Sequence, residues 1–113
     1  IHGDGSQTRS FTWVGGVIDY FVKLVELESY GEIYNIGQTE EISIKELAQL
    51  IIDTTNSSSK IKFLSHKDVF GDKFEDPTRR TPNIDKIVKA TGIKPIYDIQ
   101  TMIKEIVEFK RLD

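Results

Sequence analysis

The 113-residue sequence predicts a small α/β domain of about four helices and three or four short strands. Three observations carry that prediction. Apolar residues recur at helical spacing in several stretches. A serine and a glutamate three residues apart mark one helix start as a capping box. Between the helices lie short β-forming runs bounded by glycine or serine.

In chain order, residues 1–10 form a polar, glycine-rich turn, with Gly3, Asp4, Gly5 and Ser6 as its turn chemistry. Phe11, Thr12, Trp13 and Val14 are β-formers and predict a short strand. Gly15 and Gly16 break that run. Val17, Ile18, Phe21, Val22 and Val25 then predict a helix over about 17–28. Ile33, Tyr34, Asn35 and Ile36 predict a second strand, ended by Gly37. Ser43 and Glu46 make the capping box, with Ile42 and Leu47 at the hydrophobic-staple positions. Ile44, Leu47, Ala48 and Ile51 form the stripe of that second helix, which Asn56 ends as a left-handed cap. Residues 60–64 alternate, with Ile61 and Phe63 on one face, and predict a strand. Residues 66–81 have no period and read as a long loop, of the kind that is functional or mobile. A short helix follows over about 85–91, with Gly92 as its cap and Pro95 blocking continuation. Asp98 caps a last helix whose stripe is Ile99, Met102, Ile103 and Ile106. The expected core holds Ile44, Leu47, Ile51, Ile99, Met102 and Ile106.

Composition narrows the function. Fifteen Lys and Arg against 18 Asp and Glu leave a net charge of −3, too slight and too mixed for a nucleic-acid coat or an anionic-membrane anchor. With 38% hydrophobic and 29% charged residues, the chain has the balance of a globular domain. It lacks cysteine, which removes disulfides and thiolate metal sites, and its two histidines, His2 and His66, argue against a histidine metal site. No apolar run approaches the ~20 residues of a membrane span, and the first residues are no secretory signal. The expectation is a cytoplasmic domain. It starts at Ile1 and runs at once into a dense motif, so a piece of a longer polypeptide is expected.

Three polar features exceed what folding needs. The first is Gly3-Asp4-Gly5-Ser6-Gln7-Thr8-Arg9, where two glycines let the backbone approach a ligand and Arg9 offers a planar fork suited to phosphate; an ordinary turn with a solvated arginine explains the spacing as well. The second is the loop holding Arg79 and Arg80, two cations that repel unless an anion or the nearby Glu75 and Asp76 hold them. The third is Phe11 and Trp13, of one parity on a strand, which form either a pocket wall or plain core. Tyr30 and Tyr34 line a ligand site or seal a helix end. Two arginine sites far apart in sequence suit a diphosphate, whose charge one guanidinium cannot cover.

Read together, these residues resemble a known family. GDGSQTRSFTWV at 3–14 resembles the GDGxQTRxFxYV segment of the extended short-chain dehydrogenases/reductases, the NAD-dependent nucleotide-sugar epimerases, dehydratases and decarboxylases. YNIG at 34–37 with EEISI at 40–44 is similar to the family's NIG…EEISI stretch, and Asp76-Pro77 with RRTPNI at 79–84 is similar to its DPxxRxPDI segment. UDP-glucuronate decarboxylases and 4-epimerases are nearest in wording.

The resemblance implies that residues 1–113 are a carboxyl-terminal, nucleotide-sugar-binding domain, with the Rossmann half absent. It implies a UDP- or dTDP-sugar ligand held through Arg9 and Arg80. Gln7 helps, and Arg79 takes the part of Arg80 if the loop is shifted by one residue. The family's G-x-x-G-x-x-G and Y-x-x-x-K motifs do not occur in the sequence, so no cofactor is expected on this chain and NAD is expected in the parent enzyme. The missing Rossmann domain is the implied partner. Gly15 and Gly16 stand where the family has an acidic pair, and a glycine cap there predicts a weaker helix start. Asn83 and Ile93 also depart from the pattern. The rival reading is a non-catalytic interaction module that self-associates through an exposed face.

Overall fold

The computed structural model of the chain describes residues 1–65, 69, 71 and 77–110. His66, Glu75 and Asp76 lie outside the described residues. In chain order the elements are β1 (Thr8–Arg9), α1 (Val14–Glu26), β2 (Ile42–Ser43), α2 (Ile44–Thr55), β3 (Arg79–Arg80), α3 (Asp85–Thr91) and α4 (Ile99–Lys110). The predicted α/β class stands: among the described residues there are four helices and one mixed three-stranded sheet. The chain forms two compact units. One holds Ile1–Arg9, Ile42–Arg80 and Ile103–Asp113; the other holds Ser10–Glu41 and Thr81–Met102.

In the first unit the strand order is β2-β1-β3, with β1 antiparallel to β2 and parallel to β3. The glycine-rich turn enters β1 by way of α2. Lys45 N donates to Gly5 O at 3.0 Å and Ile44 N donates to Gln7 O at 3.1 Å, so the turn satisfies amides that a helix start leaves without partners. Gly5 has φ +77°, and a Cβ there would stand 3.0 Å from Lys45 Cβ. Asp4 Oδ1 accepts from both Ser6 N and Ser6 Oγ, which locks the turn. The capping box is complete: Glu46 N donates to Ser43 Oγ at 3.1 Å and Ser43 N donates to Glu46 Oε2 at 3.1 Å. These bonds favour the ionised carboxyl and hold the Glu46 pKa below the ordinary glutamate value. Asn56, at φ 51°, ends α2 in the expected left-handed conformation.

The second unit packs around Tyr20, Ile84 and Ile87, with Leu24, Tyr34, Ile36, Val88 and Ile93 against them. Tyr20 Oη donates to Ile93 O at 3.2 Å, which satisfies a hydroxyl whose burial raises its pKa. Gly37 lies against Pro82, whose Cγ would be 2.5 Å from a Cβ at position 37. Gly92 caps α3 at φ 73°, and Asp98 Oδ1 accepts from Thr101 N at the start of α4, both as expected.

Several sequence expectations are corrected. The strand read at Phe11–Val14 is replaced by β1 at Thr8–Arg9, and α1 begins at Val14 with Trp13 as its N-cap. Gly15 and Gly16 therefore lie in the first turn, where Val17 N donates to Trp13 O, and are not the cap. The helix ends at Glu26, two residues early. Ile33–Ile36 forms no ladder among the described residues; Tyr34 and Ile36 are held by side-chain packing and Asn35 Nδ2 donates to Asn83 O. The strand read at 60–64 reduces to one bridge, His2 to Leu64, with Gly3 N donating to Leu64 O. The expected core also shrinks. Met102 is buried, but Ile51 and Ile106 are 41% and 51% exposed. On α1 the core residue is Tyr20, whereas Val14, Ile18, Phe21, Val22 and Val25 all stand more than half exposed.

Two sets of variants test this packing. Ser43→Ala removes the α2 cap and is expected to cost about 0.5–2 kcal/mol in urea unfolding at pH 7. Glu46 is depressed in the folded chain, so its contribution is present above the unfolded glutamate pKa and is lost as pH falls through the folded value. The gap between Ser43→Ala and the parent chain should therefore narrow below about pH 4; an unchanged gap at pH 3 contradicts the reciprocal cap. Gly37→Ala should destabilise by about 1–3 kcal/mol through the clash with Pro82. Gly16→Ala, in an ordinary helical turn with its nearest contact at 3.9 Å, should stabilise by about 0.5–1 kcal/mol. Thermal melts showing both variants shifted the same way would contradict that contrast.

Candidate functional site

The sheet of the first unit brings the arginines together. In the parallel pairing of β1 with β3, Thr8 is opposite Arg79 and Arg9 is opposite Arg80, and Thr8 N donates to Thr78 O at 2.9 Å. Side chains alternate along a strand, so Arg9 and Arg80 share one face of the sheet while Thr8 and Arg79 share the other. Neighbouring strands are about 4.8 Å apart, which sets the separation at which the two arginines leave the backbone. Arg9 is half-buried, and its Nη1 donates to Thr8 O at 2.7 Å; Arg79 and Arg80 are exposed. Like charges directly opposite on a sheet destabilise it. The register thus starts two arginine side chains from neighbouring positions on one sheet face, and the planar fork of arginine matches phosphate oxygens.

The other sequence candidates fall elsewhere. Gln7 is committed to the turn: its Nε2 donates to His2 O at 3.1 Å and its carbonyl accepts from Ile44 N. It holds β1 in place for Arg9. Gly5 serves the close approach to the start of α2, while Gly3 N donates to Leu64 O. Trp13 caps α1 with its ring centroid 6.2 Å from that of Tyr97 at 43°, and it lines a pocket. Phe11 is half-buried and does not line that pocket. Tyr34 seals the second unit, sharing a hydrogen bond with Ser29 Oγ and lying beneath Lys86 Nζ at 4.8 Å, while Tyr30 is 74% exposed. Lys86 also donates to Glu32 Oε2, which lowers the Glu32 pKa.

Sequence reasoning found both arginines but not their register, which is a property of strand pairing between distant segments. It missed Tyr97, the ring partner of Trp13, and Gln38, which bonds Tyr97 O and lines the same pocket of the second unit. Among the described residues, no group of acidic or histidine side chains could hold a metal ion, and no helix is long and apolar enough to cross a membrane.

No family model matches the chain. It is 34% identical over 111 residues to a UDP-N-acetyl-alpha-D-glucosaminuronate decarboxylase of Bacillus cytotoxicus, covering 98% of this chain and 35% of that protein. It is 36% identical over 115 residues to a dTDP-D-glucose 4,6-dehydratase of Mus musculus, covering 98% and 31%. Among solved structures, a UDP-glucuronic acid 4-epimerase from Bacillus cereus, in complex with UDP-glucuronic acid and NAD, aligns with TM-score 0.80 and 28% identity over 100% of this chain and 35% of its own. MoeE5 in complex with UDP-glucose and NAD aligns with TM-score 0.83 at 21% identity, which speaks for the fold alone. The chain thus spans about a third of the length of these proteins.

The face shared by Arg9 and Arg80 has a stability signature. Arg80→Met removes one of two like charges, and in low salt without anion it should raise the stability of the chain by about 0.2–1 kcal/mol. The gain should shrink at high ionic strength. Urea unfolding at both salt concentrations measures it; a variant less stable than its parent in low salt argues against side-by-side guanidiniums.

Proposed function

We propose, for a chain whose homologues are extended short-chain dehydrogenases/reductases acting on nucleotide sugars, that it supplies the grip on the nucleotide diphosphate. The register pairing of Arg9 with Arg80 carries this reading. Two forks rising from neighbouring strands offer donors to both phosphates of a UDP or dTDP group. Each charge-assisted hydrogen bond contributes about 1.5–3 kcal/mol, so one lost fork corresponds to tenfold or more in affinity. Gln7 acts as a positioning residue through His2 O and the start of α2. Arg79, on the other face of the sheet, takes no part.

On this reading residues 1–113 form the nucleotide-sugar-binding part of a larger decarboxylase, dehydratase or epimerase, and the hydride chemistry belongs to sequence outside it. NAD is present in solved homologues of about three times this length. The residues of this chain do not fit a dinucleotide: neither G-x-x-G-x-x-G nor Y-x-x-x-K is present in the sequence, and in the glycine-rich turn before β1 Gly5 is closed against Lys45. No step of the chemistry is assigned to these residues.

A second reading has its own observation. Val14, Ile18, Phe21, Val22 and Val25 make an exposed apolar stripe along α1. Exposed apolar patches of this kind mark interaction surfaces. The greater length of the homologues supports a further domain of the same polypeptide as the occupant, with self-association of the chain when it is alone. Sedimentation across a concentration series tests this. Association relieved by Phe21→Lys supports it, and a monomer at every concentration contradicts it.

The diphosphate reading is tested by calorimetry with UDP. Arg9→Ala and Arg80→Ala should each weaken binding at least tenfold, and Arg79→Ala should leave it within threefold. Equal losses in all three variants would indicate general charge attraction and would overturn the assignment.

A further inference from the structure

We propose that the second unit carries a separate ligand pocket, built for a small, uncharged, planar ring with a polar substituent. The concavity is about 50 Å³ and opens to solvent. Its wall is apolar and aromatic. The Trp13 indole and the Tyr97 ring stand 6.2 Å apart at 43°, a tilted pair that presents ring faces and edges for a third ring. Met102, 5% exposed, adds a polarizable thioether that suits aromatic contact.

One polar group is built in. Gln38 is only 9% exposed and lines the pocket. Its side chain is held on two sides: Nε2 donates to Tyr97 O at 3.0 Å, and Oε1 accepts from Thr39 N at 2.8 Å. A primary amide has two N–H donors, and Tyr97 O takes one. The other suits a carbonyl or hydroxyl on the ring. Asp19 and Lys94, both exposed at the lining, carry opposite charges, so the pocket selects for no net charge. A concave, mostly apolar site with a fixed polar group is the usual form of a small-molecule site.

Gly16 keeps the pocket open. A Cβ there would lie 3.9 Å from Tyr97 Cδ2, so any longer side chain would grow alongside that ring into the space. The proposal does not depend on the diphosphate reading, which concerns residues of the first unit.

The sequence provides two reporters, because Trp13 is its single tryptophan and Met102 its single methionine. Benzamide, a neutral ring with an amide, is the probe. Titrated into the isotope-labelled chain, it should shift the Trp13 indole N–H and the Met102 methyl resonances along one saturable curve. Nuclear Overhauser contacts should join its ring protons to the Met102 methyl. Gly16→Leu should weaken binding at least tenfold, and Gly16→Ala, which helix propensity favours, by a smaller factor. Arg80→Ala should leave the benzamide curve unchanged. Absence of saturable shifts, or of contacts to Met102 in the unsubstituted chain, would overturn the pocket. So would affinity unaltered in a folded Gly16→Leu. UDP binding that survives these outcomes leaves the diphosphate reading standing.

Discussion

The first unit depends on a single piece of strand pairing, the parallel register of Thr8–Arg9 with Arg79–Arg80. Each strand is only two residues long. Ladders so short contribute little by themselves, and their register must be fixed by what flanks them. On one side β1 pairs with Ile42–Ser43, which runs directly into α2. The turn before β1 closes on the first residues of that helix through the amides of Ile44 and Lys45. Backbone hydrogen bonds, a positive-φ glycine and a reciprocal cap thus set where Arg9 emerges, and pairing with β3 sets Arg80 beside it.

That arrangement accepts electrostatic tension. Two arginines opposite each other on one sheet face bring like charges close together, which a sheet tolerates at a cost. Such conflicts between local stability and placement mark functional sites. In the turn sequence GDGSQTR, which from spacing alone could cradle a ligand or simply turn, Gly5 fits against the start of α2, Gly3 N bonds Leu64 O, the glutamine side chain bonds back to the turn, and Arg9 leaves β1 on the face that it shares with Arg80.

The sequence was most legible where structure is local. The Ser43–Glu46 box, the left-handed Asn56, the Gly92 cap and the Asp98 cap each involve residues within a few positions, and each stands where its chemistry requires. It was least legible where the answer lies in distant partners. Phe11 to Val14 have strand propensity, yet the chain turns into α1 there, and the ladder forms earlier at Thr8 and Arg9. Ile33 to Ile36 have strand composition, but Tyr34 and Ile36 pack, partly buried, against the cluster of Tyr20, Ile84 and Ile87, with no ladder among the described residues. The α1 stripe was legible as a period, but the period cannot say which face is covered. Tyr20, amid those apolar residues, is the one buried. The candidate site followed the same division: Arg9 and Arg80 stand out by residue type, whereas their pairing, and the exclusion of Arg79 from that face, come from register alone.

The convergence of two forks on one ligand is tested most directly by comparing pyrophosphate with orthophosphate. The account predicts at least tenfold tighter binding of pyrophosphate by the unsubstituted chain, with the preference erased by removing either Arg9 or Arg80. A preference that survives both substitutions, or none to begin with, would contradict it.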